Sequence, residues 1–90
     1  MGTVAEAIRT KLRQSLAPTH LAIVDDSARH AGHSGARPGG ETHFNVTIES
    51  AAFAGLTPVA RQRLVYRLLA EELAGPVHAL SLTLKVPAGA

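Results

Sequence analysis

Apolar residues recur at Val4, Ile8, Leu12 and Leu16, while Glu6, Arg9, Lys11 and Arg13 fall off that stripe. The spacing predicts an amphipathic helix with one face on a core. Thr3 is placed as its N-cap, with Glu6 completing a capping box. Pro18 closes the helix, because a proline just past the end cannot continue it. Leu21 to Asp25 is short, apolar and partly β-branched, which predicts a strand. From Asp26 to Glu41 the periodicity stops. The segment reads DSARHAGHSGARPGGE and predicts a long loop. Loops of that length are uncommon in small domains and often carry function.

His43 to Glu49 alternates, with Phe44, Val46 and Ile48 on one side and His43, Asn45, Thr47 and Glu49 on the other. That is the signature of a strand with one buried face. It should pair with the first strand as a hairpin around the loop. Ser50 to Ala54 predicts a short helical turn ended by Gly55, and Thr57 then caps a second helix with Pro58 at its first position. Leu64, Val65, Leu68 and Leu69 share one arc of that helix, Arg63 and Arg67 lie opposite, and Ala74-Gly75-Pro76 stops it. The two helical pieces around a tight glycine turn have the outline of a helix-turn-helix, a shape also common in proteins that bind no DNA. Val77 to Val86 alternates again and predicts the last strand, ended by Pro87.

The predicted order is α-β-β-α-α-β. An α+β fold with a three-stranded sheet and helices packed on one face is the economical solution. The helical pair between the second and third strands suits a crossover connection. At 90 residues, 1–90 is expected to be a single domain. Phe44, Phe53 and Tyr66 are the only aromatics, so the core is expected to be aliphatic. There is no cysteine, which excludes disulfides, thiolate metal sites and a cysteine nucleophile. It also fits a reducing compartment, and the expected location is cytoplasmic. Any metal ligand from this chain must be His, Asp or Glu. No apolar run approaches the roughly 20 residues needed to cross a bilayer, and no membrane partner is expected. The N-terminus has no apolar core of a secretory signal.

The formal net charge is +2, which permits contact with nucleic acid without demanding it. Arg61, Arg63 and Arg67 concentrate on one helix. Arg61 and Arg63 stand in its first turns, where a cation opposes the helix dipole. A phosphate-contacting use is one reading; a solvated face or a site for an acidic partner is the other. No nucleophile elbow, P-loop or HExxH motif is present, and no enzymatic activity is expected. Asp25 and Asp26 are read as the end of a strand.

Three segments together resemble the BolA family: VDDSARHAGH at 24–33, ETHFNVTIESAAFAGLTPVARQRLVYRLLAEEL at 41–73, and GPVHALSLTL at 75–84. The resemblance runs from about Ile8 to Leu84. It rests on THF before a strand, on F-x-G-x-x-x-x-x-R-x-R-x-V-Y in the helical pair, and on VHAL before the last strand. It implies the same element order, related to the class II KH fold. It departs at Arg61-Gln62-Arg63, where most members carry Arg-His-Arg, and the sequence ends at Ala90 without the C-terminal helix of many members.

The resemblance implies a partner of a monothiol glutaredoxin, with a bridging 2Fe-2S cluster between the two proteins and glutathione completing the glutaredoxin side. His78 in VHAL is the implied ligand. The second comes from the loop between the first two strands. His30 is the best match, following D-S-x-x-H, and His33 is the alternative. Two imidazoles cannot hold a whole cluster, so ligand counting then requires a partner, and the isolated chain should bind iron poorly. Alone it is expected to be a monomer or weak homodimer. His43, on the side of its strand opposite Phe44, is assigned to a partner surface, with an ordinary surface histidine as the competing reading. His20 is given no role. The family is also tied to transcriptional control of morphology and stress response, which keeps DNA as a second partner through Arg61, Arg63 and Arg67. The Phe53-Ala54-Gly55-Leu56 turn lacks the GXXG with which KH domains grip nucleic acid.

Overall fold

The stripe of the first segment becomes helix α1, Thr3–Leu16, whose Ala5, Ile8, Leu12 and Leu16 are buried. The computed structural model describes residues 3–26 and 42–88. The helix already contains Thr3, so the expected N-cap is instead its first residue, and Glu6 pairs with Arg9 one turn on at 3.5 Å. At the other end Ala17 takes a left-handed backbone (φ 44°) and donates its N–H to the Arg13 carbonyl. That closes the helix one residue before Pro18.

Strand β1 spans His20–Asp25 and β2 spans His43–Glu49. They pair antiparallel, from His20 opposite Glu49 to Asp25 opposite Phe44, as the predicted hairpin requires. The expected loop between them, apart from Asp26, lies outside the described residues, and His30 and His33 with it. Along β2 the alternation is realised in full: Phe44, Val46 and Ile48 are buried, and the residues between them are half-buried on the opposite face.

After β2, Ser50 caps a single 3-10 turn, Ala51–Phe53, which drives Phe53 into the core. Gly55 adopts φ +79°, a conformation that side chains disfavour, and releases the chain into the next helix. Helix α2, Pro58–Leu68, begins with Thr57 accepting the Ala60 N–H. The single helix expected to Ala74 is instead broken at Leu69 (φ −105°, ψ 22°), and a short α3, Ala70–Ala74, follows. The break keeps Leu69 in the core while turning Glu71 and Glu72 onto Lys11 of α1.

Strand β3, Ala79–Lys85, starts later than expected. Val77 is buried and donates its N–H back to the Glu72 carbonyl, so it belongs to the exit from α3 rather than to the sheet. β3 lies parallel to β2, with His43 opposite Ala79 and Glu49 opposite Lys85. The sheet order is β1-β2-β3, so the central strand carries one antiparallel and one parallel neighbour. Helix α1 packs on β1 and α2, and α2 packs on β3. Leu21, Ile23, Leu80, Leu82 and Leu84 complete the apolar layer beneath these helices.

Candidate functional site

Parallel pairing places the starts of β2 and β3 side by side. This is the end of the sheet at which THF and VHAL enter it. The carbonyl of Thr42 accepts two N–H groups from the incoming chain, His78 at 2.7 Å and Ala79 at 3.2 Å. The main chains of 42 and 78 are therefore tied before β3 formally begins. On the β1 side, Asp26 donates its N–H to the His43 carbonyl at 2.7 Å.

The side chains follow the backbone. The rings of His43 and His78 are stacked, with centroids 6.2 Å apart and planes inclined by 24°. Nδ1 of His43 lies 2.8 Å from Oγ1 of Thr42, a residue with no exposed surface. His78 is exposed and His43 half-buried. Beside them, Asp26, Asn45, Ala79 and Ser81 border a shallow hollow on the uncovered face of the sheet.

The sequence reading placed these two histidines in different roles. Nothing local joins them, because the register of β2 against β3 makes the meeting. Thr42 was missed as well. Its signal was the threonine of THF directly before an alternating strand, a position that the ladder buries. Among the described residues no group of three or more His, Asp or Glu side chains gathers as a metal site.

The arginines of α2 separate. Nε of Arg61 donates to the Leu56 carbonyl at 3.1 Å, and a terminal nitrogen reaches the Leu84 carbonyl at 3.4 Å. Arg61 thus ties α2 to β3. Arg63 and Arg67 are both exposed, one turn apart, near the partly exposed Tyr66. Lys11 bridges Glu71 at 2.7 Å and the buried Glu72 at 2.9 Å. The Glu71 hydrogen bond, and then that of Glu72, raises the Lys11 pKa, and the bond to Lys11 lowers that of Glu71. The sequence reading did not join these groups.

Residues 12–89 match the family model described as BolA-like protein. The chain belongs to the BolA family. It is 50% identical over 88 residues to BolA-like protein 1 of Pongo abelii, covering 98% of this chain and 61% of that one. It thus spans about three fifths of the length of such relatives. It is 42% identical over 79 residues, 88% of this chain and 71% of the other, to a Vibrio cholerae protein named DNA-binding transcriptional regulator BolA. Among solved structures, the BolA domain of SufE1 from Arabidopsis thaliana superposes with a TM-score of 0.88 at 46% identity, covering 100% of this chain and 99% of that one. The small α+β fold with its three-stranded sheet is thus the fold of this family.

Proposed function

We propose that this protein is a partner of a monothiol glutaredoxin and shares with it a bridging 2Fe-2S cluster, in iron–sulfur cluster trafficking or iron-status regulation. It acts by binding rather than by catalysis, and its expected location is cytoplasmic. The observation that supports this reading is the placement of His78. Its main chain is fastened to Thr42 while its side chain is exposed, so a rigid support presents an imidazole to an approaching protein.

The donor chemistry fits such a shared group. Imidazole is a good ligand for iron, and in place of thiolate it raises the reduction potential of a cluster. A 2Fe-2S cluster takes four ligands, and this chain has no cysteine to offer. When bound, such a cluster would take histidines from this chain, with thiolates of the glutaredoxin and of glutathione supplying the remaining ligands. The family resemblance pairs His78 with His30 or His33. When bound, the cluster supplies one-electron chemistry or is itself the cargo. The chain's part would be to present His78 at the end of the sheet where β3 begins and to dock the partner around it.

Mixing the protein with a monothiol glutaredoxin, iron and sulfide tests this. The expected product is a heterodimer whose visible spectrum differs from that of the glutaredoxin homodimer, with His78→Ala abolishing the difference. A spectrum that His78→Ala leaves unchanged overturns the ligand assignment.

A second reading, DNA-binding transcriptional regulation, has one specific support. Helix α2 carries no acidic side chain and exposes Arg63 and Arg67 on one face, and the Vibrio cholerae relative bears a DNA-binding name. On this reading the 3-10 turn and α2 form a helix-turn-helix-like unit in a class II KH-like fold. It predicts salt-dependent DNA binding whose log–log slope falls by about two when Arg63 and Arg67 become alanine. Arg61→Ala should instead act on stability, because its guanidinium is committed to the Leu56 and Leu84 carbonyls. Binding indifferent to Arg63 and Arg67 removes this reading.

A further inference from the structure

We propose that the outer edge of β3 is a docking site for an extended, acidic segment of a partner protein, which adds to the sheet as a fourth strand. This goes beyond the glutaredoxin reading and does not rest on it.

The main chain supports it first. β3 is an edge strand, because the sheet order is β1-β2-β3. The N–H of Ala79 reaches the Thr42 carbonyl, and the carbonyl of Lys85 accepts the Ser50 N–H. The odd-numbered residues of β3 thus point their main-chain groups at β2. Alternation along the strand turns the N–H and C=O groups of Leu80, Leu82 and Leu84 the other way, outward from the sheet. Arg61 of α2 meets the Leu84 carbonyl on that outer side. Edge strands are commonly blunted by proline, by charge in mid-strand or by a bulge. β3 has none of these. Its register against β2 is unbroken, and its one charge, Lys85, is its last residue.

The side chains support it second. Leu80, Leu82 and Leu84 face the helices, yet each is only half-buried, whereas Phe44, Val46 and Ile48 of β2 are buried. Beside Leu82 and Leu84 lies a hollow of about 140 Å³, bordered by Pro58, Arg61 and Gln62 of α2. An added strand covers the leucines, pairs with the outward main-chain groups and sends a side chain into the hollow.

Charge names the occupant. Arg61 borders the hollow on the helix side, and Lys85 stands on the open side. Among the described residues neither is paired with a carboxylate. Two successive acidic residues of an incoming strand, one on each face, meet both. A second copy of this chain brings no such group to the seam, since neither β3 nor α2 contains an acidic residue. Nucleic acid finds no aromatic ring on β3 for a base to stack on.

Amide hydrogen exchange by NMR tests this, with the full chain and a short synthetic peptide of alternating valine and threonine that carries two adjacent glutamates at one end. The N–H groups of Leu80, Leu82 and Leu84 should exchange fast in the free protein and slow about tenfold or more with the peptide. Lys85→Glu, an exposed change that leaves the ladder intact, should weaken the peptide about tenfold. A counterpart peptide with lysines for the glutamates should bind the wild type poorly and regain affinity for Lys85→Glu. The proposal is overturned if the acidic peptide leaves the three N–H groups unprotected, or if both peptides bind the wild type equally well. Protection already present in the free protein also overturns it, and if that protection grows with protein concentration the occupant is a second copy. A single-stranded oligonucleotide that displaces the peptide and protects the same N–H groups assigns the edge to nucleic acid instead.

Discussion

The carbonyl of Thr42 holds the N–H of His78 at 2.7 Å, while the Thr42 hydroxyl lies 2.8 Å from the ring of the neighbouring His43. One buried threonine thus touches both histidines, the first through its main chain and the second through its side chain. Thr42→Val keeps the shape and the carbonyl and removes only the hydroxyl. The expected result is a change in the His43 imidazole nitrogen shifts with those of His78 nearly unmoved, and a stability loss of about 1 kcal/mol. NMR of labelled histidines checks the first and chemical denaturation the second. Equal changes at both rings would contradict the assignment.

Ser50 joins three elements. Its hydroxyl donates to the Leu16 carbonyl at the end of α1, accepts the Ala52 N–H, and stands where β2 gives way to the 3-10 turn. It is fully buried. Ser50→Ala leaves the Leu16 carbonyl without this donor and the turn without its cap, and should cost roughly 1–3 kcal/mol. A urea midpoint equal to that of the wild type would show that both bonds are dispensable.

Ala17 ends α1 in the left-handed region, where its Cβ is strained. Glycine relieves that strain and gives back part of the gain through the freedom of the unfolded chain. Ala17→Gly is expected to raise stability by about 0.5–1 kcal/mol, read as a higher melting temperature. A lower one would mean that the methyl group contributes more in packing than it costs in strain.

Lys11 holds α1 to α3 through Glu71 and Glu72. The depressed Glu71 carboxyl stabilises the fold above its ordinary titration range, and that contribution is lost as pH falls through its lowered folded value. The raised Lys11 ammonium stabilises below the ordinary lysine range and is lost as pH rises through its folded value. Melting temperature should therefore decline below the usual carboxylate range and at strongly alkaline pH. Lys11→Met should flatten the alkaline decline and lower stability at neutral pH, since Glu72 is left buried without this partner. Adding Glu72→Gln should recover part of the loss. Identical acid and alkaline profiles in wild type and Lys11→Met would refute the linkage.

What the sequence determined by itself was whatever depends on neighbours along the chain. The stripe through Ile8, Leu12 and Leu16, the alternation through Phe44, Val46 and Ile48, and the Thr57-Pro58 start of α2 each write an element in local spacing, and the core followed from them. THF and VHAL stand where β2 and β3 begin. Even within helices local pattern had limits. The break at Leu69, after which Glu72 meets Lys11, is invisible in the periodicity. Tertiary structure alone decided which marked residues meet. The parallel register of β2 and β3 put His43 beside His78, and the packing of α2 on β3 brought Arg61 to the Leu84 carbonyl. Side-chain periodicity tells which face a residue occupies. It forbids a slip by one residue, which would flip every side chain, but it does not choose among slides by whole two-residue steps, and a site shared between strands is made by that choice.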